Sequence, residues 1–154
     1  MIVKERLAEL GIELPAVQPP VAAYIPAVRT GNLVFTSGQL PTAAGAETPE
    51  GKLGAAISVE QGKAAARTCA LNALAAVDDL VGLDAVVRVV KVLGFVASAP
   101  GFTGQPDVVN GASELLGAVF GDAGRHARSA VGVAELPRGA PVEVEIIVEV
   151  AEMV

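Results

Sequence analysis

Residues 142–150 are Val142-Glu143-Val144-Glu145-Ile146-Ile147-Val148-Glu149-Val150, in which aliphatic and mostly acidic side chains alternate. A period of two places all the even-numbered side chains on one face of a β-strand. That face carries only valine and isoleucine, so another part of the molecule must cover it. The fold therefore depends on which other elements of the chain pack against this apolar face.

Two helices are predicted to supply that cover. Ser58 is a good N-cap, and Gln61 three residues later completes a capping-box pattern. From there to about Leu80 the sequence is rich in alanine and has one apolar face, and Gly82 follows as a stop signal. The second helix is expected over residues 106–120, beginning at a proline.

The remaining elements are strands and their connections. We predict a hairpin of strands 25–29 and 33–37, a strand over 86–97 that is buried on both faces, and a strand over 127–136. Residues 41–56 and 98–105 are expected to be loops. This order predicts an α+β fold with two helices packed on one face of a mixed β-sheet.

The N-terminal segment precedes this core. Residues 3–10 have helical spacing and are followed by Gly11, and a proline-rich passage with Pro15, Pro19 and Pro20 is expected to run extended. We interpret residues 1–154 as a single domain, in which 1–20 form an N-terminal extension and 21–150 form the core.

The composition points to burial between subunits. Of 154 residues, 52% are hydrophobic before the 17 glycines are counted, and 18% are charged. Ordinary globular chains have about 45–50% apolar residues with glycine included, and about 25% charged residues. Because helices cover only one face of the predicted sheet, we expect a second subunit to cover the other face.

Charge and targeting signals exclude several classes of protein. The 17 acidic and 11 basic residues give a net charge of −6, which disfavours binding to nucleic acid. The N-terminus lacks the apolar core of a signal peptide, and charged residues interrupt the longest apolar stretch, 85–96, which is too short to span a bilayer. We therefore expect a cytoplasmic protein without a membrane partner.

Several residues that could carry chemistry have a simpler structural interpretation. His126 is the only histidine, so we expect no metal site and place it at the surface or at the start of a strand. Cys69 lies mid-helix among alanines and is expected to be a core residue. Glu143, Glu145 and Glu149 could form an acid–base pair, but a solvated strand face is favoured on composition.

Arg128 lies within a predicted strand of small and apolar residues, among them Ala127, Ala130 and Val131. A guanidinium in such surroundings requires an anionic partner. That partner is either Glu143 or Glu145 on an adjacent strand, or the carboxylate of a ligand. The residues alone favour neither alternative.

Three motifs together resemble the Rid family, the reactive intermediate deaminases, which are also called YjgF-like and carry the older label L-PSP endoribonucleases. The first is Ala-Arg-Ser-Ala-Val-Gly-Val-Ala-Glu-Leu-Pro at 127–137, followed by Val-Glu-Val-Glu at 142–145. The second is Gly-Asn-Leu-Val-Phe-Thr-Ser-Gly-Gln-Leu-Pro at 31–41, and the third is Val-Val-Asn at 108–110. The resemblance runs from about residue 21 to residue 150.

This resemblance implies a chorismate-mutase-like fold, a homotrimer and three clefts between neighbouring subunits. It also implies hydrolysis of enamines and imines such as 2-aminoacrylate to 2-keto acids and ammonia, without a cofactor. Arg128 would bind the substrate carboxylate, and Glu143 would be the catalytic partner. The expected substrate-binding residues are Tyr24, Ser37, Gly38, Asn110 and Arg128.

The chain departs from the family pattern at three positions. Ala22 and Ala23 precede Tyr24 where the family has Gly-Pro, Ala130 stands where many members have cysteine, and Ser113 replaces an aromatic residue. The changes at Ala130 and Ser113 alter the expected pocket lining. They bear on the identity of the substrate more than on the type of reaction.

Two functions would use these residues. The first is an enzyme that deaminates imines, and the second is a trimer that binds a small carboxylate metabolite as a sensor, without turnover. The ribonuclease label fits an acidic chain with one histidine and no basic stripe poorly.

Overall fold

The computed structural model describes residues 2–17 and 23–152. Residues 18–22, which include Pro19 and Pro20 of the predicted extended passage and Ala22 of the family motif, lie outside the described residues. The strands are β1 (Ala27–Thr30), β2 (Leu33–Thr36), β3 (Val86–Ala97), β4 (Ala127–Val133) and β5 (Val142–Val150). They form one sheet in the order β1-β2-β5-β3-β4, in which β3 and β4 are parallel and the other neighbours are antiparallel. The predicted α+β fold with a mixed sheet is confirmed.

The helices are α1 (Val3–Glu9), α2 (Val59–Val81) and α3 (Gln105–Phe120), with short 3-10 turns at Leu83–Ala85, Gly121–Gly124 and Pro137–Gly139. Along β5 every second residue is buried, from Val142 to Val150, and this face lies against α2. The alternation in the sequence therefore has the predicted cause, which is a strand with one face in the core.

Helix α2 begins at the predicted cap. The Ser58 Oγ accepts a hydrogen bond from the Gln61 N–H at 3.1 Å, and the Gln61 Oε1 accepts one from the Ser58 N–H at 2.8 Å. Gly82 ends the helix with a φ of 79°, a backbone conformation that glycine adopts without strain. The capping box and the stop signal are both confirmed.

Helices α2 and α3 pack closely because glycine lies at their contact. A methyl group at Gly111 of α3 would overlap the carbonyl oxygen of Lys63 in α2. Cys69 of α2 is fully buried against β5 and is therefore a core residue, as predicted. The contact between α2 and α3 fixes the position of α3, and with it the side chains that α3 presents to β4.

Two strand boundaries and one burial prediction were wrong. Strand β4 ends at Val133 rather than residue 136, because its neighbour β3 ends at Ala97, the partner of Val133. The hairpin is shorter than predicted and begins at Ala27, after Pro26, which has no N–H to donate. Strand β3 is buried on one face only, since all the helices lie on the same side of the sheet, and Val87 is 50% exposed.

The N-terminal helix α1 follows the prediction and packs beside α3 and the Leu83–Ala85 turn. Leu7 enters the core, and the Arg6 Nε donates to the carbonyl of Ala118 at 3.0 Å. No helix in the described ranges has both the length and the apolar character needed to cross a membrane.

Candidate functional site

Arg128 lies on the helix-covered side of the sheet. In the β3–β4 register it is the partner of Val92, whose side chain is fully buried under the helices. Its Nη1 donates to the Asn110 Oδ1 at 2.8 Å and to the Ser113 Oγ at 3.2 Å. Both acceptors belong to α3 and are three residues apart, so they face the same direction. We call Asn110, Ser113 and Arg128 the arginine group.

The arginine group has no carboxylate partner within the described chain. None of the ion pairs found among residues 2–17 and 23–152 includes Arg128. The hypothesis that Glu143 or Glu145 on an adjacent strand neutralises it was wrong for the single chain, because β3 lies between β4 and β5. Two neutral oxygens hold the guanidinium in place and leave its positive charge uncompensated.

Glu143 lies on the open face of the sheet, opposite the helices. It is the register partner of Phe95, whereas the neighbouring pair Val96 and Val142 is buried on the other face. Its carboxylate lies directly over Gly38, where a methyl group would overlap Oε2. Glycine at position 38 is therefore required for Glu143 to adopt this position.

The segment that follows β2 is held by hydrogen bonds to the residues before β1 and to β5. The Ser37 Oγ donates to the carbonyl of Ile25 at 2.6 Å, and the Ser37 N–H donates to that of Pro26 at 2.8 Å. Gln39 and Val144 exchange two backbone hydrogen bonds, of 2.8 and 3.0 Å. We call Ser37, Gly38 and Glu143 the glutamate group.

The surroundings of Glu143 favour its protonated form. Partial burial, and secondly the negative charge of Glu145, raise the pKa of the Glu143 carboxyl above its ordinary value. Glu143 and Glu145 belong to the acidic row on β5, which is half-buried rather than the solvated face that composition favoured. A carboxyl group whose pKa is raised keeps its proton to higher pH than an ordinary glutamate and is better suited to pass that proton to a substrate.

The remaining candidate residues lie near these two groups. Tyr24 is about half exposed, at 49%, and directly precedes Ile25, whose carbonyl accepts from Ser37. His126 directly precedes β4, at the strand start where it was expected, and its Nδ1 lies 3.0 Å from the carbonyl of Ala127. Burial, and secondly the charge of Glu143, raise the pKa of the Cys69 thiol. No cluster of metal-ligating side chains occurs among the residues that the structure describes.

One contact was missed by the sequence reasoning. Ser113 was noted only as a departure from the family pattern, but its hydroxyl is the second acceptor for Arg128. Its spacing of three residues from Asn110 on a predicted helix was the available signal. The structure thus brings together two separate groups, one on each face of the sheet, and does not bring Arg128 and Glu143 together within one chain.

Comparison with known proteins identifies the family. The sequence model described as Endoribonuclease L-PSP matches residues 15–150. The chain belongs to this family, which is the YjgF-like or Rid family. Both groups of candidate residues, from Ser37 to Glu143, lie inside the matched region.

Relatives of this chain match it over nearly its whole length. It is 49% identical over 149 residues to Protein TCP17 of Trypanosoma cruzi, covering 96% of this chain and 93% of the relative. It is 44% identical to the protein Atu1372 of Agrobacterium tumefaciens, whose crystal structure matches with a TM-score of 0.89 over 97% of this chain and 93% of that one. A proposed endoribonuclease from Shewanella oneidensis matches with a TM-score of 0.92 at 32% identity, covering 97% and 100% of the two chains.

Proposed function

We propose that the protein hydrolyses reactive enamine or imine intermediates that carry a carboxylate, releasing a 2-keto acid and ammonia. The observation that carries this proposal is Arg128, which is held by Asn110 and Ser113 and has no acidic partner in the described chain. A guanidinium prepared in this way is a receptor for a carboxylate, which it can bind through two parallel hydrogen bonds.

The two residue groups would act together at a boundary between copies of the chain. The open face of the sheet exposes apolar side chains, among them Val28, Phe35 and Val131, at 36–50% of their area. A second copy of the chain that covers this face would place its arginine group near the glutamate group of the first. We therefore propose a homotrimer with three such clefts, as the family resemblance implies.

The proposed reaction needs few groups. Arg128 would bind the substrate carboxylate and so position the C=N carbon next to a water molecule held by Glu143. The water oxygen would add to that carbon, and Glu143 would take a proton from the water and return it to the nitrogen. In the resulting carbinolamine Glu143 would move the hydroxyl proton to the amine nitrogen, the C–N bond would break to release ammonia, and the C=O bond of the 2-keto acid would form. The raised pKa of Glu143 supports its role as the proton carrier.

The first experiment measures turnover of 2-aminoacrylate that a second enzyme generates in situ. Arg128→Ala is expected to lower the release of keto acid and ammonia by at least about 10²-fold, because binding and orientation are both lost. Arg128→Lys should restore only part of the turnover, since the point charge of an ammonium group does not reproduce the planar guanidinium that binds a carboxylate through two hydrogen bonds. Arg67→Ala, which removes an exposed arginine of α2, is the matched control and should keep full activity.

The second experiment tests whether each site is shared between copies. Arg128→Ala and Glu143→Gln chains are unfolded together and refolded as a mixture. If each cleft takes its arginine from one copy and its glutamate from the next, about a quarter of the clefts in a random trimer are intact. Activity of the mixture well above that of either variant alone supports the proposal.

Two outcomes would contradict these proposals. A stable Arg128→Ala protein with full turnover ends the deaminase proposal, and a wild-type protein that binds small carboxylates but turns over no imine supports a sensor instead. Sedimentation equilibrium should give about three times the 15.5 kDa of one chain. A monomer at micromolar concentration would contradict the shared cleft.

A further inference from the structure

A cavity of about 380 Å³ opens beside Arg128, between α3 and the 3-10 turn at Gly121–Gly124. Its lining residues are Ser113, Gly117, Gly124, Arg125, His126 and Arg128. The volume exceeds what one carboxylate bound to Arg128 would occupy, and Arg125 and His126 line the same space.

The lining of this cavity has one sign of charge. It includes two arginines and the only histidine of the chain, and no acidic residue. The ion pairs formed within the described ranges include neither Arg125 nor His126. In a chain whose net charge is −6, such a local concentration of positive charge attracts anions.

Small residues keep the cavity open. Gly117 has no side chain to fill it, and a Cβ built there would meet no atom within 4 Å. At Gly124 a methyl group would overlap the carbonyl oxygen of Leu116, so the turn can approach α3 only with glycine there. Ser113 adds to this opening, because its short side chain ends at Arg128 and leaves the adjoining space free.

The spacing of the His126 and Arg128 side chains fits a ligand with two acidic groups. His126 and Arg128 are two residues apart at the start of an extended strand, which separates their Cα atoms by about 6–7 Å. Both line the same cavity, with Arg125 at its exposed end. A second acidic group at the far end of a four- or five-carbon ligand would reach Arg125 and His126 while the first acidic group remains bound to Arg128.

We propose that this cavity is a subsite for a second anionic group, a carboxylate or a phosphate, on the side chain of the ligand. This inference rests on the proposed function, because it assumes that Arg128 holds the carboxylate next to the C=N carbon. Arg125 and His126 then determine specificity by favouring imines of acidic or phosphorylated amino acids over those with short apolar side chains.

The test uses two pairs of 2-keto acids that differ only in the second anion. Isothermal titration of the full-length protein compares 2-oxoglutarate with 2-oxopentanoate, and 3-phosphohydroxypyruvate with hydroxypyruvate. We expect the dianion to bind about tenfold more tightly or better in at least one pair, and the pair that shows it identifies the anion. Equal affinities in both pairs, or no measurable binding of any of the four at millimolar concentration, would overturn the subsite.

Variants connect the preference to the cavity. Arg125→Ala and His126→Gln should each lower the preference for the dianion, and the double variant should abolish it. The control is Arg67→Ala, which removes an exposed arginine that does not line this cavity and should leave the preference unchanged. A preference that survives the double variant arises elsewhere and overturns the proposal. Melting temperatures of all variants check that the fold is kept.

Turnover separates this inference from the proposed function. A protein that deaminates 2-aminoacrylate but shows no preference for dianions keeps the function and loses the subsite. A protein that prefers dianions in titration but turns over neither monoanionic nor dianionic imines keeps the binding site and loses the enzymatic function.

Discussion

The two faces of the sheet differ in how far one chain completes them. On the helix-covered face Val144 and Val148 of β5 are fully buried, whereas on the open face Val28 and Val131 are 50% and 46% exposed. The same strands supply both faces, since successive residues of a strand point to opposite sides. The helix-covered face forms a hydrophobic core within one chain, whereas the open face leaves apolar side chains exposed.

This difference separates stability from function. Substitutions at the contact between α2 and α3, away from the arginine group, should destabilise the chain without a specific effect on chemistry. Substitutions on the open face, where Glu143 lies over Gly38, should lower activity while the subunit keeps its fold. Four measurements test this division, and the expected effects decrease from the first to the last.

Gly111→Ala should cause the largest loss of stability, about 2–4 kcal/mol, because its methyl group would overlap backbone rather than a side chain that can move. The control is Gly117→Ala in the same helix, where the added Cβ meets open space and the change should be neutral or stabilising by up to about 1 kcal/mol. Chemical denaturation measures both. Equal stabilities of the two variants would contradict the close contact between α2 and α3.

Gly38→Ala should leave the unfolding transition nearly unchanged but lower turnover by about 10- to 100-fold. The added methyl overlaps the flexible end of Glu143, which then moves away from the position it needs. Steady-state kinetics and thermal melting are measured on the same preparation. Adding Gly38→Ala to Glu143→Gln should have no further effect, because both act on one carboxylate.

Ser58→Ala should destabilise the chain by about 0.5–2 kcal/mol through loss of the capping box of α2. Turnover per folded molecule should be unaffected, because Ser58 belongs to neither residue group. Thr68→Ala in the middle of α2 is the control and should change stability by less. Unchanged denaturation midpoints for Ser58→Ala would refute the role of the cap.

Glu143→Gln should change the pH dependence of stability. Because the folded chain raises the pKa of this carboxyl, its contribution to stability is fully present below the unfolded value of about 4.5 and is lost as the pH rises through the raised pKa. The variant avoids that loss, so its melting temperature relative to wild type should rise between pH 4 and pH 7 by a few degrees at most. Glu149→Gln, on the same face of β5, controls for the removal of one negative charge, and a fall over this range would contradict the prediction.

Local signals in the sequence were sufficient for most elements of the fold. The alternation in β5, the Ser58–Gln61 cap and the stop at Gly82 each depend on residues within a few positions of one another. The start of β1 and the end of β4 were misplaced for different reasons: β1 begins after Pro26, which has no N–H to donate, and β4 ends where its partner strand ends. The partner of β4 is the distant strand β3, so its end is not encoded locally.

The sequence identified the residues of the candidate site but not how they are arranged in space. Motifs named Arg128, Asn110, Gly38 and Glu143, but the face of the sheet on which each lies depends on register. A shift of one residue in the β3–β4 pairing would move Arg128 to the open face. The spacing of Ser113 from Asn110 indicates a shared helix face, but the contact of Ser113 with Arg128 also depends on how α3 packs against β4.

The buried thiol of Cys69 can report how often the helix layer separates from the sheet in the folded chain. It is the only cysteine, has no exposed area in the folded subunit, and its Sγ lies 3.6 Å from the carbonyl of Val142 where α2 meets β5. A thiol reagent can reach it only when the helix layer separates from the sheet, so the labelling rate under native conditions measures how often these layers part. Recording that rate across a denaturant series would distinguish a local separation of α2 from unfolding of the whole subunit.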